Sequence, residues 1–128
     1  MTTKRAVAVL GASADRAKYG NKSVRAHHRA GWDVYPVNPR GGQIEGLASY
    51  AALAEVPVEL DRVSVYLAPA IGEKLLPEIA AKGCRELWLN PGSESAALVN
   101  RAIELGLNPV LACSIIDVGF RPSDFPDE

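Results

Sequence analysis

The chain has 128 residues, 48% of them hydrophobic and 23% charged, and a formal net charge of −1. That length fits one domain able to bury a core, and the balanced charge excludes a general attraction to nucleic acid or to anionic membranes. Anion binding, if present, has to come from local charges.

The first apolar run, Ala6–Leu10, follows Lys4 and Arg5 and flows into Gly11. It is far shorter than the roughly 20 residues of a membrane span and meets no cleavage site, so it reads as a buried first strand and not as a signal peptide. The polar stretch GASADRAKYGNK (Gly11–Lys22) comes next as a loop. A helix is expected over Asn21–Ala30, ending at Gly31, with a thin apolar face of Val24, Ala26 and Ala30. Trp32–Val37 is the second strand, with Pro36 and Pro39 around its end. The glycine-rich PRGGQIEGLASY then forms a loop with room for a short edge strand near Gln43–Leu47, and Tyr50–Glu55 reads as a short helix closed by Pro57. Arg62–Leu67 is the third strong strand. Gly72–Lys82 is helical, with Leu75, Leu76, Ile79 and Ala80 on one face, Gly83 as its stop, and Pro77 either in the first turn or at a kink. Glu86–Leu89 is a strand, and Ser93 is the expected N-cap of a helix running to Leu105, with Glu94 in its first turn. Pro109–Ala112 is the last strand. From about residue 117 the tail reads as irregular, and its acids Asp124, Asp127 and Glu128 as solvated charges.

Strands alternating with helices imply right-handed βαβ units and a parallel sheet. The expected fold is one α/β domain of the doubly wound kind over residues 1–128, without repeat or linker. Ligands of such sheets sit beyond the carboxyl ends of the strands, so the residues just after each strand are the ones to read.

After the first strand, Gly11 allows a tight turn, Ala12 and Ser13 are small enough for close backbone approach, and the Ser13 hydroxyl can donate to a phosphate. Arg16, Lys18 and Lys22 add cations near a helix N-terminus, where free N–H groups favour anions. A plain turn followed by solvated charges fits the same residues. A dinucleotide fingerprint would place glycines at positions 11, 13 and 16, and only Gly11 is present. NAD sites also place an acid at the end of the second strand, where this chain has Val37-Asn38-Pro39-Arg40. Asn38 and Arg40 tolerate a phosphorylated ribose, as in coenzyme A (CoA) or NADP. Leu67-Ala68-Pro69 forms either a wall for an adenine or pantetheine chain or an ordinary turn, and Asn90-Pro91-Gly92-Ser93 opens a second helix N-terminus toward the same crevice.

Catalytic signals are sparse. His27 and His28 fall mid-helix and read as partly exposed, no Ser–His–Asp set is visible, and no metal-ligand spacing occurs. Cys84 and Cys113 fit neither a disulfide framework nor a zinc site and read as packed, reduced thiols of a cytoplasmic protein. Cys113, after the last strand, is the one reactive candidate: facing the crevice, it could form a mixed disulfide with a CoA thiol.

Three segments, VAVLGASADRAKYG, GWDVYPVNPRGGQIEGLASYAALAEVP and ELWLNPGSES, give the chain a family likeness over roughly Arg5 to Ile116. It resembles the small stand-alone CoA-binding domain proteins, whose fold is similar to the CoA-binding domain of the succinyl-CoA synthetase α subunit. The pairing of a GAS…R…YG loop with a distant YPVNP is the specific part. The resemblance implies a Rossmann-like sheet of order near 3-2-1-4-5-6, with Gln43–Leu47 as edge strand. It implies that Gly11, Ala12, Ser13 and Arg16 cradle CoA phosphates, that Tyr19 and Gly20 close the loop, and that Val37, Asn38 and Pro39 lie by the adenosine end. The chain departs from the family at ACSIIDVGF, where many members are basic, and at Asn90-Pro91-Gly92, where many carry glutamine. No reaction comes with the resemblance. The expectation is a non-enzymatic binding or regulatory module for CoA or an acyl-CoA. The alternatives are an NADP- or NAD-binding regulator or oxidoreductase-like protein with an altered glycine loop, and an interaction protein that has lost its ligand. A homodimer or another protein partner stays open.

Overall fold

The computed structural model describes residues 4–128. In chain order the elements are β1 (Ala6–Leu10), α1 (Tyr19–Arg29), β2 (Asp33–Val37), β3 (Gln43–Ile44), β4 (Leu47–Ala48), a 3-10 turn (Leu53–Glu55), β5 (Leu60–Val65), α2 (Pro69–Lys82), β6 (Cys84–Leu89), α3 (Ala96–Glu104), β7 (Pro109–Val110), α4 (Ser114–Asp117) and a second 3-10 turn (Pro122–Asp124).

The main sheet has the order β2-β1-β5-β6-β7, and every pairing in it is parallel. Of its central strands, β1 (AVAVL) is an unbroken apolar run, buried along its whole length because helices cover both faces. Ala8, Leu10, Val63, Val65, Leu87 and Leu89 face one layer, where Leu76 and Ile79 of α2 and Leu98 of α3 complete the core. Val7 and Val9 face the other layer with Val24 of α1 and Trp32. The chain leaves β1 for β2 on one side and returns to β5 on the other, so the carboxyl ends of β1 and β5 flank the switch point. No helix among the described residues is long and apolar enough to cross a membrane.

The doubly wound α/β fold and five positions of the expected strand order are present. Outside β2, the remaining position is held by a single parallel bridge between Val37 and Tyr50. The Gln43–Leu47 segment is not the edge strand: β3 and β4 pair with each other as an antiparallel hairpin. Glu45 and Gly46, both at positive φ (51° and 77°), form the two-residue turn that folds it back. Helix α2 begins at Pro69 and not at Gly72, because a proline at the first helical position loses no hydrogen bond. Pro77 lies in the interior of that helix. The cap of α3 is Ser95, whose Oγ accepts from the Leu98 N–H at 3.1 Å, while the Ser93 hydroxyl accepts from the Leu67 N–H at 3.2 Å.

Two further expectations are corrected. Beyond Asp117 the tail has no regular element except the Pro122–Asp124 turn, but it is not merely solvated. Phe125 is 1% exposed and joins Ala26 and Ile115 in a third apolar cluster. Lys22 Nζ lies 2.6 Å from Asp127, and Arg25 donates to the Pro126 carbonyl at 2.8 Å. This segment covers the side of α1 whose own apolar residues are few. His27, in turn, is fully buried; of the pair, only His28 is exposed. Its Nδ1 stands 2.9 Å from the Ser23 carbonyl, which can only accept, so Nδ1 carries the proton and Nε2 receives the Arg62 guanidinium at 3.4 Å. Burial pushes the His27 pKa down to about 4. Arg62 itself is buried, between the rings of Trp32 (4.6 Å) and Trp88 (4.3 Å), and pairs with Glu86 at 3.0 Å and Asp117 at 2.7 Å. Asp117, within the ACSIIDVGF segment, thus serves a core arginine.

Candidate functional site

The site begins at Gly11, where β1 turns with φ +85°. A Cβ there would overlap the Tyr66 carbonyl, so the turns after β1 and β5 touch only because this residue is glycine. Gly20, in the first turn of α1, sits against the Gly11 carbonyl in the same way. A dinucleotide loop uses a late glycine for close helix–strand packing. This chain places that contact at Gly20, nine residues past Gly11, and so encloses a longer loop.

That loop is held by its own side chains. The Ser13 hydroxyl accepts from the Asp15 N–H, and the Asp15 carboxylate accepts from the Ala17 N–H, both at 3.0 Å. Buried Asn21 donates to the Ser13 carbonyl at 2.9 Å and to Glu45 at 3.1 Å, fastening the loop to the β3–β4 hairpin. Asn38 ties the loop to the end of β2: its Nδ2 donates to the Ala12 carbonyl at 2.8 Å, and its Oδ1 accepts from the Arg40 N–H at 2.8 Å. Behind the β5 end, Asn90, Ser64, Ser114 and Tyr66 form a buried polar network, with Asn90 Nδ2 to Ser64 Oγ at 2.9 Å and Tyr66 OH to Ser114 Oγ at 3.0 Å. Burial raises the Tyr66 phenol pKa.

Three clefts meet over these strand ends. The first, of about 270 Å³, is mainly apolar and lies between Leu10–Ala12, Val37–Pro39, Ala51–Leu53, Leu67 and the Ile71, Leu75, Glu78, Ile79 side of α2. The second is polar, with Ser13, Asp15, Lys18, Asn38, Arg40 and Gln43 among its walls. The third runs past Gly11, Lys18, Tyr19 and Gly20 to Tyr66, Leu67 and the Pro91–Ser93 turn. Asn38 borders the first and second, Lys18 the second and third, and Gly11 the first and third. One apolar, one polar and one mixed compartment therefore share corners, with Lys18 and Arg40 lining the polar one.

Of the residues singled out by sequence, Gly11, Ala12, Ser13, Tyr19, Gly20, Val37, Asn38, Pro39 and Arg40 all line one of these clefts. Arg16 lines none of them. Its guanidinium lies 3.3 Å from Glu45 and 2.7 Å from the Glu128 carbonyl oxygen. Lys22 is taken up by Asp127. Cys113 is half-buried beside Val118 and Phe120 and also lines none of the three. Sequence reasoning missed Ile71, Leu75 and Glu78. Their spacing of four and three residues puts them on one face of α2, in line with Leu67, and that spacing was the available signal.

Comparison with known proteins shows the family. A family profile described as a CoA binding domain matches residues 5–119. Over 84 residues the chain is 32% identical to the α subunit of an ADP-forming acetate–CoA ligase II from Pyrococcus furiosus, covering 63% of this chain but only 18% of that subunit. Among solved structures, a conserved hypothetical protein from Pyrococcus furiosus is 29% identical with a TM-score of 0.80, over 90% of this chain and 99% of that one. The dinucleotide-forming acetyl-coenzyme A synthetase 1 of Ca. Korarchaeum cryptofilum, in complex with phosphate and ADP, is 26% identical with a TM-score of 0.74, over 84% of this chain and 25% of the synthetase.

Proposed function

The chain belongs to the family of CoA-binding domains, and on that footing we propose that it holds CoA or an acyl-CoA across the three clefts, as a binding or regulatory module without turnover of its own. The observation that carries the proposal is the shared corner at Asn38, where the apolar cleft opens directly into the cation-lined one. CoA asks for that arrangement: a flat base, a ribose phosphate beside it, and a pyrophosphate leading to an extended arm. The base enters the apolar cleft. The 3′-phosphate lies in the second cleft with Lys18 and Arg40. The pyrophosphate crosses the Gly11-Ala12-Ser13 turn near Lys18, and the pantetheine arm leaves along Tyr66 and Pro91.

Cation placement refines the expected roles. Lys18 and Arg40 contact phosphate, whereas Arg16 shapes the loop through Glu45. The named ligase and synthetase are much longer than this chain, and binding is the part of their chemistry proposed for it. The three clefts present no histidine or cysteine for a nucleophile–base pair.

Calorimetric titration with CoA, acetyl-CoA, NADP and NAD tests the reading. CoA or its thioester should bind and NAD should not, since no carboxylate stands at the β2 end for its ribose. Tight NAD binding without CoA binding overturns the proposal.

A further inference from the structure

The apolar cleft contains one polar group that the fold does not fully use. Two polar side chains line it, Asn38 and Glu78. Asn38 is committed at both ends of its amide, to the Ala12 carbonyl and the Arg40 N–H. Glu78, on α2, accepts the Ala54 N–H at 3.3 Å through Oε1, which anchors the carboxylate at the cleft. Its Oε2 has no hydrogen bond or ion pair among the described residues.

A carboxylate oxygen is an acceptor only. In a cleft otherwise walled by aliphatic groups, backbone and the already committed Asn38 amide, it selects an occupant that is flat, apolar on its faces and carries an N–H on its edge. Resting on the CoA reading above, we infer that Glu78 is a specificity-determining residue that accepts the exocyclic amine of the adenine. A purine with a keto oxygen at that place would set lone pairs against the carboxylate. Sites that hydrogen-bond a substrate group reject the analogue lacking it far better than apolar contact does. Glu78 is half-buried, so the discrimination is set by one charge-assisted bond and not by full desolvation.

The test measures dissociation constants for CoA and for its deaminated analogue, with hypoxanthine in place of adenine, on wild type, Glu78→Ala and Glu78→Gln. Wild type should prefer CoA by roughly tenfold or more, as expected for one hydrogen bond to a charged group. Glu78→Ala should lose about that factor for CoA and bind both ligands alike. Glu78→Gln, which can donate to the keto oxygen as well as accept, should narrow or reverse the preference and serves if the alanine variant does not fold. If wild type binds both ligands equally, or the preference survives in Glu78→Ala, Glu78 does not read the base, while CoA binding stands. If wild type binds neither ligand, the CoA reading fails and this inference fails with it.

Discussion

Replacing Gly20 by alanine sets two physical effects against each other at one position. Gly20 has a helical place in α1, where alanine is favoured over glycine by about 1 kcal/mol. A Cβ there, however, would lie 2.9 Å from the Gly11 carbonyl carbon and 3.3 Å from Ala12 Cα, and closer still to the Gly11 oxygen. Ordinary carbon–carbon contact begins near 3.5 Å, so the start of α1 has to retreat by roughly 0.6 Å or more. Both obstacles are backbone, and Gly11 is itself pinned against Tyr66, so no flexible side chain can yield. Overpacking of this kind costs about 1–3 kcal/mol, and the rigid neighbours place it at the upper end. Net of the propensity gain, Gly20→Ala should destabilise the fold by about 2 kcal/mol, a fall in Tm of the order of 8 °C for a chain of this size. The same retreat moves Tyr19 and Lys18, so CoA affinity should fall too. Denaturant and thermal unfolding, with calorimetry, read both effects. A variant as stable as wild type or more so would show that helix propensity governs the position and that the Gly11–Gly20 contact is slack.

Lys18→Ala should weaken CoA binding about tenfold or more, through loss of a charge-assisted contact. Arg16→Ala should cost no more than about 1 kcal/mol in affinity, because its partners are Glu45 and a backbone carbonyl; equal losses in a titration of both variants would return Arg16 to the phosphate site. His27 supplies a pH dependence. Its folded pKa of about 4 lies below the ordinary 6.5, so its contribution is full above about pH 6.5 and is lost as pH falls toward 4, amounting to about 3 kcal/mol. Unfolding midpoints of wild type and His27→Gln across that window should converge at the acid end, and parallel curves would refute the assignment. Phe125→Ala removes a side chain only 1% exposed and should cost about 3 kcal/mol or more by equilibrium unfolding. A change below about 1 kcal/mol would mean that the tail does not cover α1 in solution.

The sheet was legible because its strands are short buried runs with glycine, proline and asparagine at their ends, and those residues also turn the chain at the ligand face. Gly11, Ser13 and Asn38 declared themselves for the same reason: strand ends are where local chemistry and topology coincide. Element boundaries slipped where a cap has equivalent neighbours, as with Ser93 and Ser95, or where a proline opens a helix and does not interrupt it, as with Pro69. Arg16 is expected at the phosphates from the family resemblance and from its place beside the turn in sequence. Within a loop whose direction is set by Asn21 and Glu45, proximity did not fix which way the guanidinium points.

What was not legible depends on partners far along the chain. His27 looked partly exposed because α1 has few apolar residues, and a helix with a thin apolar face normally shows the rest to water. The same thinness was the clue to the tail. A helix whose apolar residue against the sheet is Val24 leaves the Ala26 flank to be covered, so some other segment has to supply apolar area. RPSDFPDE holds one large apolar residue, Phe125, flanked by prolines and acids. Phe125 meets Ala26 and the guanidinium of Arg29 (4.7 Å), while Asp127 meets Lys22. Asp127, one of the acids that read as solvation, therefore pairs with the basic flank of α1, while Asp124 accepts from the Arg121 N–H. This sets a division of charge along α1 and the loop before it. Lys22, Arg25 and Arg29 are used by the tail, Arg16 by the hairpin, and Lys18 is left at the corner of the clefts. Of the cations along this stretch, Lys18 is the one without a side-chain partner among the described residues, which leaves it, with Arg40 of the second cleft, free for the phosphates of the proposed ligand.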